Sequence, residues 1–462
     1  MPSNFVLLPV ETQSRELDAK LLLACYLARA GMSTVIGSRQ AMHNNIASLP
    51  RGIYMAKDFR RPSLRIFRIL HGRGCPILAW DEEGVVFYNR EFYHRRRVDA
   101  TALGQVDELF AWNDENRDML RSAPGYNGAP IHVTGNPRTD LLLPRLRGIF
   151  NSDVETLRER FGTFVLINTN FGRVNPGIST RTRNSDPDRG MSDPALAEFV
   201  RGTDSFRRQI FEAFLTMVPA LADAFPEIRF VVRPHVAENY QVWRDLADGH
   251  SNLSAIHEGN VYPWILAGAA TIHNGCTTGV EAFLLDRPVI SYRPFISDEH
   301  EIRLPNMLSA TAPDFDDLAG KLSDIMAGEP VIDHDKTLRA EARRVFPNLN
   351  GKLAAEHIAT HVANFAGRET VPRDVGWLAR IGAGAIARKR KWKKQLESNI
   401  PGHKNNWRYS HQRFPGVTLE EMTTRRNLFD SLTGDFAGIT VKSLGRNLFM
   451  VSAERKSSPG RH

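Results

Sequence analysis

The stretch at 270–294, ATIHNGCTTGVEAFLLDRPVISYRP, constrains the fold of this chain more than any other part of the sequence. Its pattern predicts a short strand, a turn of small and hydroxyl-bearing residues at 273–279, a helix from Val280 to Leu285, and a second strand. A strand, a helix and a strand in this order form a βαβ unit with parallel strands. The stretch therefore predicts an α/β fold, with the turn at the carboxyl end of a parallel strand, where such folds bind ligands.

The turn HNGCTTG at 273–279 has the features of an anion-binding loop. The N-terminus of a helix has unpaired N–H groups and the positive end of the helix dipole, and both favour phosphate. Thr277 and Thr278 add hydroxyl donors, and the glycines allow a close approach of the backbone to a ligand. A tight, N-capped βα loop that binds nothing would have the same composition, so this stretch alone leaves both interpretations open.

The length and composition describe a globular protein with more than one domain. A chain of 462 residues is too long for one typical core, so two domains with appendages are expected. Hydrophobic residues make up 42% and charged residues 24% of the chain, and no apolar run approaches the length of a membrane span. The first residues lack the basic and apolar regions of a secretory signal.

The cysteines indicate the redox compartment of the protein, and the net charge indicates the type of partner. Cys25, Cys75 and Cys276 are isolated from one another, which favours a reducing cytoplasm and argues against a disulfide framework or a zinc site. A formal charge of +8 favours anionic partners, such as nucleic acid, nucleotide phosphates or an anionic membrane. We therefore predict a cytoplasmic protein with an anionic partner.

The first domain is predicted to span residues 1–140 and to contain a doubly wound parallel sheet of about six strands. Its first βαβ unit lacks a GxGxxG motif, so nothing in it indicates a dinucleotide site. Glu11, Arg15 and Glu16 are predicted to lie in a polar loop that follows the first strand. This loop is either solvated or directed at a ligand, because ligands bind at the carboxyl ends of such strands.

A second Rossmann-like domain is predicted at 141–365, and a basic extension at 366–462. Two such domains create an interdomain cleft, the expected place for a ligand. Residues 174–195 lack periodicity and are predicted to form a mobile loop, and the residues from Glu454 onward are predicted to be disordered. Asp314 is predicted to cap the helix that follows it.

Three carboxylates follow a predicted buried strand at 75–80. Asp81, Glu82 and Glu83 precede Gly84, which would let the chain turn sharply. Crowding of carboxylates is expected to raise the pKa of at least one of them towards the range of a general base. A solvated acidic turn is the alternative interpretation of so short a motif.

Together with the acidic motif and ValArgProHis at 232–235, the 270–294 stretch resembles the donor-site loop of bacterial surface-carbohydrate biosynthesis proteins. These proteins look like glycosyltransferases of the GT-B fold, in which two Rossmann-like domains face each other across a cleft. The resemblance covers the chain from Phe5 to about Glu421. It includes a hinge-like segment at 135–140 and a closing segment at 414–421.

The motifs are similar to those of GT-B transferases that use CMP-activated acidic sugars. The resemblance implies that Asp81 or Glu82 is the catalytic base and that His235 is a catalytic ligand of the donor phosphate. His235 stands in Arg-Pro-His rather than His-Pro, so Arg233 is an alternative phosphate ligand. Two sets of binding residues are predicted. The donor would be bound by Arg233, His273, Asn274, Gly275, Thr277, Thr278, Gly279 and Glu281, and the acceptor side would include Glu11, Arg15 and Glu83.

The expected reaction is the inverting, metal-independent transfer of a sugar from a nucleotide donor to a polysaccharide or lipid-linked acceptor of capsule or lipopolysaccharide. No cofactor and no metal are expected, and no metal-binding residues are predicted. A CDP-glycerol-type polyol-phosphate transferase and a nucleotide-sugar 2-epimerase are the alternative enzymes. The alternative of another class is a non-catalytic nucleotide-sugar-binding scaffold in polysaccharide export.

The segment RKRKWKK at 388–394 contains six basic residues. It is interpreted as a solvated helix face or as a contact with the anionic inner face of the plasma membrane, which would make the protein peripheral. The cations concerned are Arg388, Lys389, Arg390, Lys391, Lys393 and Lys394. Nucleic acid is not an expected partner, because no RNA-binding signature accompanies the segment.

Overall fold

The computed structural model describes residues 4–177, 193–331, 336–349, 351–401, 403 and 405–454. Contacts divide these residues into two compact units. Unit 1 contains the described residues of Met1–Val85, Tyr93–Ile149 and Arg343–His462. Unit 2 contains those of Val86–Phe92 and Phe150–Ala342.

The described residues form fourteen strands. These are β1 (Phe5–Val10), β2 (Ser33–Ser38), β3 (Ile53–Ala56), β4 (Ile77–Ala79), β5 (Glu108–Ala111), β6 (Ile131–Val133), β7 (Phe164–Asn168), β8 (Arg229–Arg233), β9 (Leu253–Ala255), β10 (Ala270–His273), β11 (Val289–Tyr292), β12 (Ala310–Ala312), β13 (Ile439–Gly445) and β14 (Leu448–Ala453).

The helices in the described part of the chain are α1 (Gln13–Arg29), α2 (Arg39–Asn45), α3 (Leu64–Gly72), α4 (Arg90–Arg97), α5 (Ala100–Leu103), α6 (Asp114–Arg121), α7 (Pro137–Asp140), α8 (Asn151–Phe161), α9 (Pro194–Ala224), α10 (Gln241–Ala247), α11 (Val261–Ala267), α12 (Thr277–Leu284), α13 (Arg303–Met307), α14 (Phe315–Ala327), α15 (Lys336–Val345), α16 (Ala354–Arg368), α17 (Trp377–Ser398), α18 (Trp407–Arg413) and α19 (Leu419–Thr433).

Unit 1 contains an eight-stranded sheet in the order β13-β14-β2-β1-β3-β4-β5-β6. Strands β1 to β6 are all parallel to one another. The β13–β14 hairpin extends the sheet because β14 pairs with β2 in the antiparallel direction. The chain reverses its winding between β1 and β3, so the carboxyl ends of these two strands form the topological switch point of the unit.

Unit 2 contains six parallel strands in the order β12-β11-β10-β7-β8-β9. Numbered within the unit and read from β9, this is the order 3-2-1-4-5-6 of a dinucleotide-binding Rossmann sheet. The strands are continuous apolar runs because helices cover both faces of a parallel sheet. Its switch point lies between β7 and β10, which end at Asn168 and His273.

The predicted fold class, α/β with two Rossmann-like domains, is confirmed. The βαβ unit predicted at 270–294 is present, with β10 and β11 parallel on either side of α12. Asp314 caps α14 as predicted, because its carboxylate accepts a hydrogen bond from the Asp317 N–H at 2.9 Å. The three cysteines are buried free thiols, as expected for a chain without a disulfide framework.

Several local predictions differ from the structure. Helix α1 begins at Gln13, so Arg15 and Glu16 lie in its first turn rather than in a loop. The β13–β14 hairpin was not predicted. Residues 178–192 of the predicted 174–195 loop, and 455–462 of the predicted disordered tail, lie outside the described residues.

The units also differ from the predicted domains 1–140, 141–365 and 366–462. Residues from Arg343 onward belong to unit 1, so the described part of the extension is not a separate body. The reason is that β14 pairs with β2 and α16 contacts α1, which attaches the end of the chain to the first sheet. Among the described residues, no helix is long and apolar enough to cross a membrane.

Candidate functional site

A pocket opens at the carboxyl edge of the unit 2 sheet, at the ends of β7, β10 and β11. Its empty volume is about 420 Å³, including the part that is open to solvent. The position beside the β7–β10 switch point is where doubly wound sheets bind their ligands. The residues lining this unit 2 pocket are Tyr88, Phe171, Phe206, Arg207, Ile210, Asn274, Gly275, Tyr292, Arg293, His300, Glu301, Ile302 and Asn306.

His273 holds the turn that borders the pocket. It is fully buried, and burial lowers the pKa of its imidazole to about 3. Its Nδ1 accepts a hydrogen bond from the Gly275 N–H at 2.9 Å, so the proton of the neutral ring lies on Nε2, 2.8 Å from Ser309 Oγ. Both ring nitrogens are therefore occupied within the protein. In this structure His273 positions the turn, and a direct role at the donor remains a prediction.

Two glycines are required in this turn for different reasons. Gly275 has a φ of +77°, a left-handed conformation that residues with a Cβ rarely adopt. Gly279 has no unusual φ, but a Cβ on it would lie 2.4 Å from His273 Nε2. The second glycine thus allows α12 to pack directly on the buried imidazole. Of the predicted donor-binding residues, only Asn274 and Gly275 line the pocket.

The two threonines at the start of α12 have different surroundings. The Thr278 hydroxyl lies 2.5 Å from Cys276 Sγ, which engages it within the turn. Thr277 is half-buried and makes no side-chain hydrogen bond within the described residues. Asn274 Oδ1 is likewise buried without a hydrogen-bond partner in that part of the chain. Thr277 and Asn274 are therefore the side chains of this turn that can still bind a ligand.

Arg233 and Glu281 are buried side chains in the interior of unit 2. Arg233 donates to the carbonyl oxygens of Glu258 at 3.2 Å and Gly259 at 2.8 Å, and burial lowers the pKa of its guanidinium to about 10. Glu281 Oε1 lies 3.4 Å from the Tyr262 hydroxyl, and its charge partly offsets the effect of burial on Arg233. Neither side chain lines the unit 2 pocket, so a direct role at the donor remains a prediction.

His235 lies on the surface beyond β8 and does not line the pocket. Its backbone N–H donates to Glu238 Oε1 at 2.9 Å, and its Nδ1 accepts from the Ala237 N–H at 3.2 Å. The structure therefore does not bring the predicted phosphate ligand to the pocket residues. The catalytic role predicted for His235 receives no support from this placement.

Arg207 and Tyr88 are pocket residues that the sequence analysis missed. The Arg207 guanidinium lies 5.8 Å from the centre of the Tyr88 ring. Tyr88 is held in unit 2 because its ring packs edge-on against Phe199 of α9. The other pocket arginine, Arg293, is neutralised by Glu301 through bonds of 2.8 and 2.5 Å. Arg207 makes no ion pair among the described residues, so it is a cation that an anionic ligand can neutralise.

In unit 1, each carboxylate of the 81–83 motif has a cationic partner. Asp81 is 1% exposed and pairs with Arg97, and its carbonyl accepts from Trp112 Nε1 at 2.6 Å. Glu82 is 6% exposed and lies 3.0 Å from Lys20 Nζ. These are compensated, buried charges, and neither presents a free carboxylate at the surface of unit 1.

Glu83 is the most exposed carboxylate of the motif and pairs with Arg15 at 2.6 Å. Burial alone would raise the pKa of Glu83, but the charges of Arg15, Arg97 and Arg138 outweigh it and lower the pKa to about 2. The expectation that crowding would raise the pKa is therefore wrong for Glu83. Cations reach this edge of the sheet from other elements, and their attraction exceeds the repulsion between neighbouring carboxylates.

Glu11 lies at the switch point of unit 1, directly after β1. Its carboxylate contacts Lys57 at 2.5 Å, Arg39 at 2.9 Å and also Arg413. Burial opposes ionisation, but these three charges together hold the pKa of Glu11 well below its usual range. The predicted acceptor-side residues Glu11, Arg15 and Glu83 thus belong to ion pairs at the carboxyl edge of one sheet.

The described residues contain no group of three or more His, Cys, Asp and Glu side chains that could hold a metal ion. The reaction expected from the sequence requires none. The absence of a metal from the mechanism remains a prediction.

No family model and no curated protein sequence matches this chain. Solved structures similar to it include MnaA of S. aureus with UDP, at 13% identity and a TM-score of 0.45, over 81% of this chain and 100% of that one. A UDP-GlcNAc 2-epimerase of Neisseria meningitidis bound to UDP-GlcNAc has 13% identity and a TM-score of 0.44, over 79% and 100%. The wall teichoic acid polymerase TagF has 11% identity and a TM-score of 0.45, over 80% and 90%. With TM-scores below 0.5, these likenesses do not decide the function.

Proposed function

We propose that this chain is a transferase that uses a nucleotide-activated sugar and that unit 2 binds this donor. The observation that carries the proposal is the pocket at the Rossmann switch point, which is lined by the Asn274–Gly275 turn and by Arg207, an arginine with no ion pair to any other described residue. Phosphate is an anion that suits a guanidinium and the N-terminus of a helix. Aromatic side chains such as Tyr88 and Phe206 provide flat surfaces for a nucleobase.

The groups around the pocket suit the departure of a nucleotide phosphate. Arg207, the N–H groups at the start of α12 and the Thr277 hydroxyl would stabilise the negative charge that develops on the leaving group. No step of this kind requires a metal. The predicted donor, a CMP-activated acidic sugar, remains part of the proposal, together with a cytoplasmic location and a polysaccharide or lipid-linked acceptor of surface-polysaccharide assembly.

Activation of the acceptor is assigned to the acidic edge of unit 1. A single displacement needs a base that takes the proton of the acceptor hydroxyl, and it inverts the anomeric centre. We retain Asp81 or Glu82 as the proposed base. Substrate binding would have to release one of these carboxylates from Arg97 or Lys20.

Nucleotide binding tests the donor site directly. We expect CMP to raise the melting temperature of the purified protein, with or without EDTA, because a ligand that binds only the folded state stabilises it by mass action. Arg207→Gln should weaken this binding roughly ten- to hundredfold, since it removes a charge-assisted contact. The measurement is a thermal-shift titration. Arg208→Gln is the matched control, because Arg208 is the next residue of α9 and is exposed.

The other outcomes of this titration have defined meanings. A shift with CDP instead of CMP would favour a polyol-phosphate transferase, and a shift with UDP would favour a UDP-sugar transferase or a 2-epimerase. A protein that melts cooperatively and responds to none of these nucleotides would refute the donor site. Equal binding by wild type and Arg207→Gln would refute the role of Arg207 alone.

A non-catalytic nucleotide-sugar-binding scaffold is the second candidate. It is favoured by the burial and pairing of Asp81 and Glu82, which resemble a structural ion-pair network more than a free base. If the chain is an enzyme, Asp81→Asn/Glu82→Gln should lower nucleotide release from the donor about a hundredfold or more and leave nucleotide binding in place. A double variant as active as the wild type would contradict the base assignment. A wild type without turnover on any donor it binds would support the scaffold.

A further inference from the structure

Helix α17 has two faces of different character. Its inner face contains Ala383 and Ala387, which are buried against α3 and α2 of unit 1. The contact with α3 is close, since a Cβ on Gly72 would lie 2.9 Å from the Ala383 Cβ. Small side chains on this face let the two helices approach, so α17 is a fixed part of unit 1 rather than a free tail.

The structure divides the six basic residues at 388–394 between the two faces. Arg390 donates to the His43 carbonyl at 3.1 Å, and Lys391 donates to Asn45 Oδ1 at 3.2 Å. These two cations attach the helix to α2, and Lys394 beside them is half-buried. Of the six basic residues, the exposed ones are Arg388, Lys389 and Lys393, so these are the ones that an external partner can contact.

The outer face of α17 is defined here by five apolar residues and the three exposed cations. The apolar residues are Trp377, Leu378, Ile381, Trp392 and Leu396, and each of them is more than half exposed. One side of the helix carries positions 377, 381, 388, 392 and 396. Their spacings of four or seven residues correspond to about one or two helical turns. Large apolar side chains concentrated in this way on an otherwise charged surface mark an interaction site.

The positive charge of this face favours an anionic partner. The acidic residue of α17 is Glu397, which lies 3.7 Å from Lys393, whereas Arg388 and Lys389 make no ion pair among the described residues. We propose that the outer face of α17 docks unit 1 onto an anionic lipid bilayer, with the helix lying in the membrane surface. The tryptophans and aliphatic side chains would enter the interface, and Arg388, Lys389 and Lys393 would contact lipid phosphates.

The dimensions fit such a contact. A helix of 22 residues is about 33 Å long and can lie along the surface over its whole length. It is not apolar enough to span the bilayer. A nucleic acid is less well suited to this face, because large exposed Trp, Leu and Ile side chains make up much of it. The inference does not depend on the pocket of unit 2 and survives if no nucleotide binds there.

Vesicle co-sedimentation of the full chain tests the docking face. We expect binding to vesicles of equal parts phosphatidylcholine and phosphatidylglycerol, much weaker binding to phosphatidylcholine alone, and a loss of affinity at high salt. Arg388→Gln/Lys389→Gln/Lys393→Gln should lower the affinity for the anionic vesicles about a hundredfold. Trp392→Ala/Leu396→Ala should also lower it, and its effect should persist at high salt, because burial of apolar surface is not screened.

A charge-matched variant controls for the overall positive charge. Arg121→Gln/Arg208→Gln/Lys352→Gln removes three exposed cations from elsewhere in the chain and should bind like the wild type. Equal losses in the two triple variants would overturn the docking face in favour of a diffuse charge effect. Equal binding of the wild type to both kinds of vesicle would also overturn it.

The oligomeric state distinguishes a second occupant of the same face. If Trp392→Ala/Leu396→Ala converts a dimer into a monomer and vesicle binding is unchanged, the face is an interface between two copies of the chain and the proposal is wrong. All the substituted side chains are exposed or half-exposed, so each variant should retain the melting temperature of the wild type. A variant that melts early is replaced by its single substitutions before the affinities are compared.

Discussion

Lys20→Met is expected to lower the free energy of unfolding of unit 1 by about 3–5 kcal/mol at pH 7, because removal of one partner leaves buried charges uncompensated. Lys20 is 3% exposed, and its Nζ contacts Glu16 at 2.8 Å, Glu82 at 3.0 Å and the Pro9 carbonyl at 2.9 Å. Methionine preserves much of the side-chain volume, so the loss reflects charge rather than a cavity. Denaturant unfolding monitored by tryptophan fluorescence measures the change.

The same variant should depend on pH in a defined direction. Burial alone would raise the pKa of Glu16, but Lys20 and Lys57 outweigh it and lower the pKa to about 2, below the unfolded value of about 4.3. In the wild type, the stability from this carboxylate is therefore present above pH 4.3 and is lost as the pH falls towards 2. Without Lys20, burial favours the protonated form, so the difference from the wild type should be largest at pH 7 and shrink towards pH 4.

Lys352→Met is the matched control for Lys20→Met. Lys352 also has a glutamate four residues later, Glu356, but the pair is 3.9 Å apart and the lysine side chain is 62% exposed. Its replacement should change stability by less than about 0.5 kcal/mol, as is usual for an exposed pair. Comparable losses in the two variants, or a Lys20→Met protein as stable as the wild type at pH 7, would contradict the importance of the buried network.

The sequence predicted the elements whose signals are local. The βαβ unit at 270–294 was predicted because a strand, a glycine-rich turn and a stop at Pro288 are all readable within one short stretch. The parallel sheets follow from the alternation of such units along the chain. The start of α1 was not predicted, because its local sequence signal is weak and Thr12 makes no side-chain cap. A polar stretch there was interpreted as a loop.

The pocket could be predicted only in part, because its walls come from distant parts of the chain. The Asn274–Gly275 turn was identified from its own composition, whereas Tyr88 and Arg207 have no local motif. Tyr88 comes from the short segment Val86–Phe92, which is separated in sequence from the rest of unit 2. An aromatic contact with Phe199 holds it there. An arginine in an amphipathic helix is ordinarily a surface residue, so its place in the pocket depends on tertiary packing.

Charge states were the least predictable property, and the acidic motif shows the reason. The sequence places Asp81, Glu82 and Glu83 next to one another, which suggests repulsion. Their partners Lys20 and Arg97 come from α1 and α4, which are remote in sequence. The pairing that decides whether a carboxylate is free or held is therefore set by the packing of helices against the edge of the sheet.

The hinge-like segment at 135–140 also acquires its role from packing within unit 1. Asp140, at the end of α7, is fully buried. Its carboxylate accepts hydrogen bonds from the Ala354 and Ala355 N–H groups, each at 2.8 Å, and from Asn348 Nδ2 at 2.7 Å. These N–H groups belong to the first turn of α16, which lacks a capping side chain of its own from Leu353. Asp140 therefore acts as a cap supplied from a distant part of the chain.

Asp140→Ala is expected to destabilise unit 1 by about 3 kcal/mol, because it leaves buried backbone N–H groups at a helix N-terminus without partners. Thr418→Ala is the matched control: Thr418 caps α19 through its own sequence, is exposed, and should cost about 1 kcal/mol. Urea unfolding of both variants measures the difference, and amide exchange at Ala354 and Ala355 locates it. If Asp140→Ala loses no more than Thr418→Ala, then water satisfies the start of α16 and the distant cap is unimportant. A larger loss of stability, with faster amide exchange confined to the start of α16, would mean that the Asp140 carboxylate holds the 135–140 segment and α16 together.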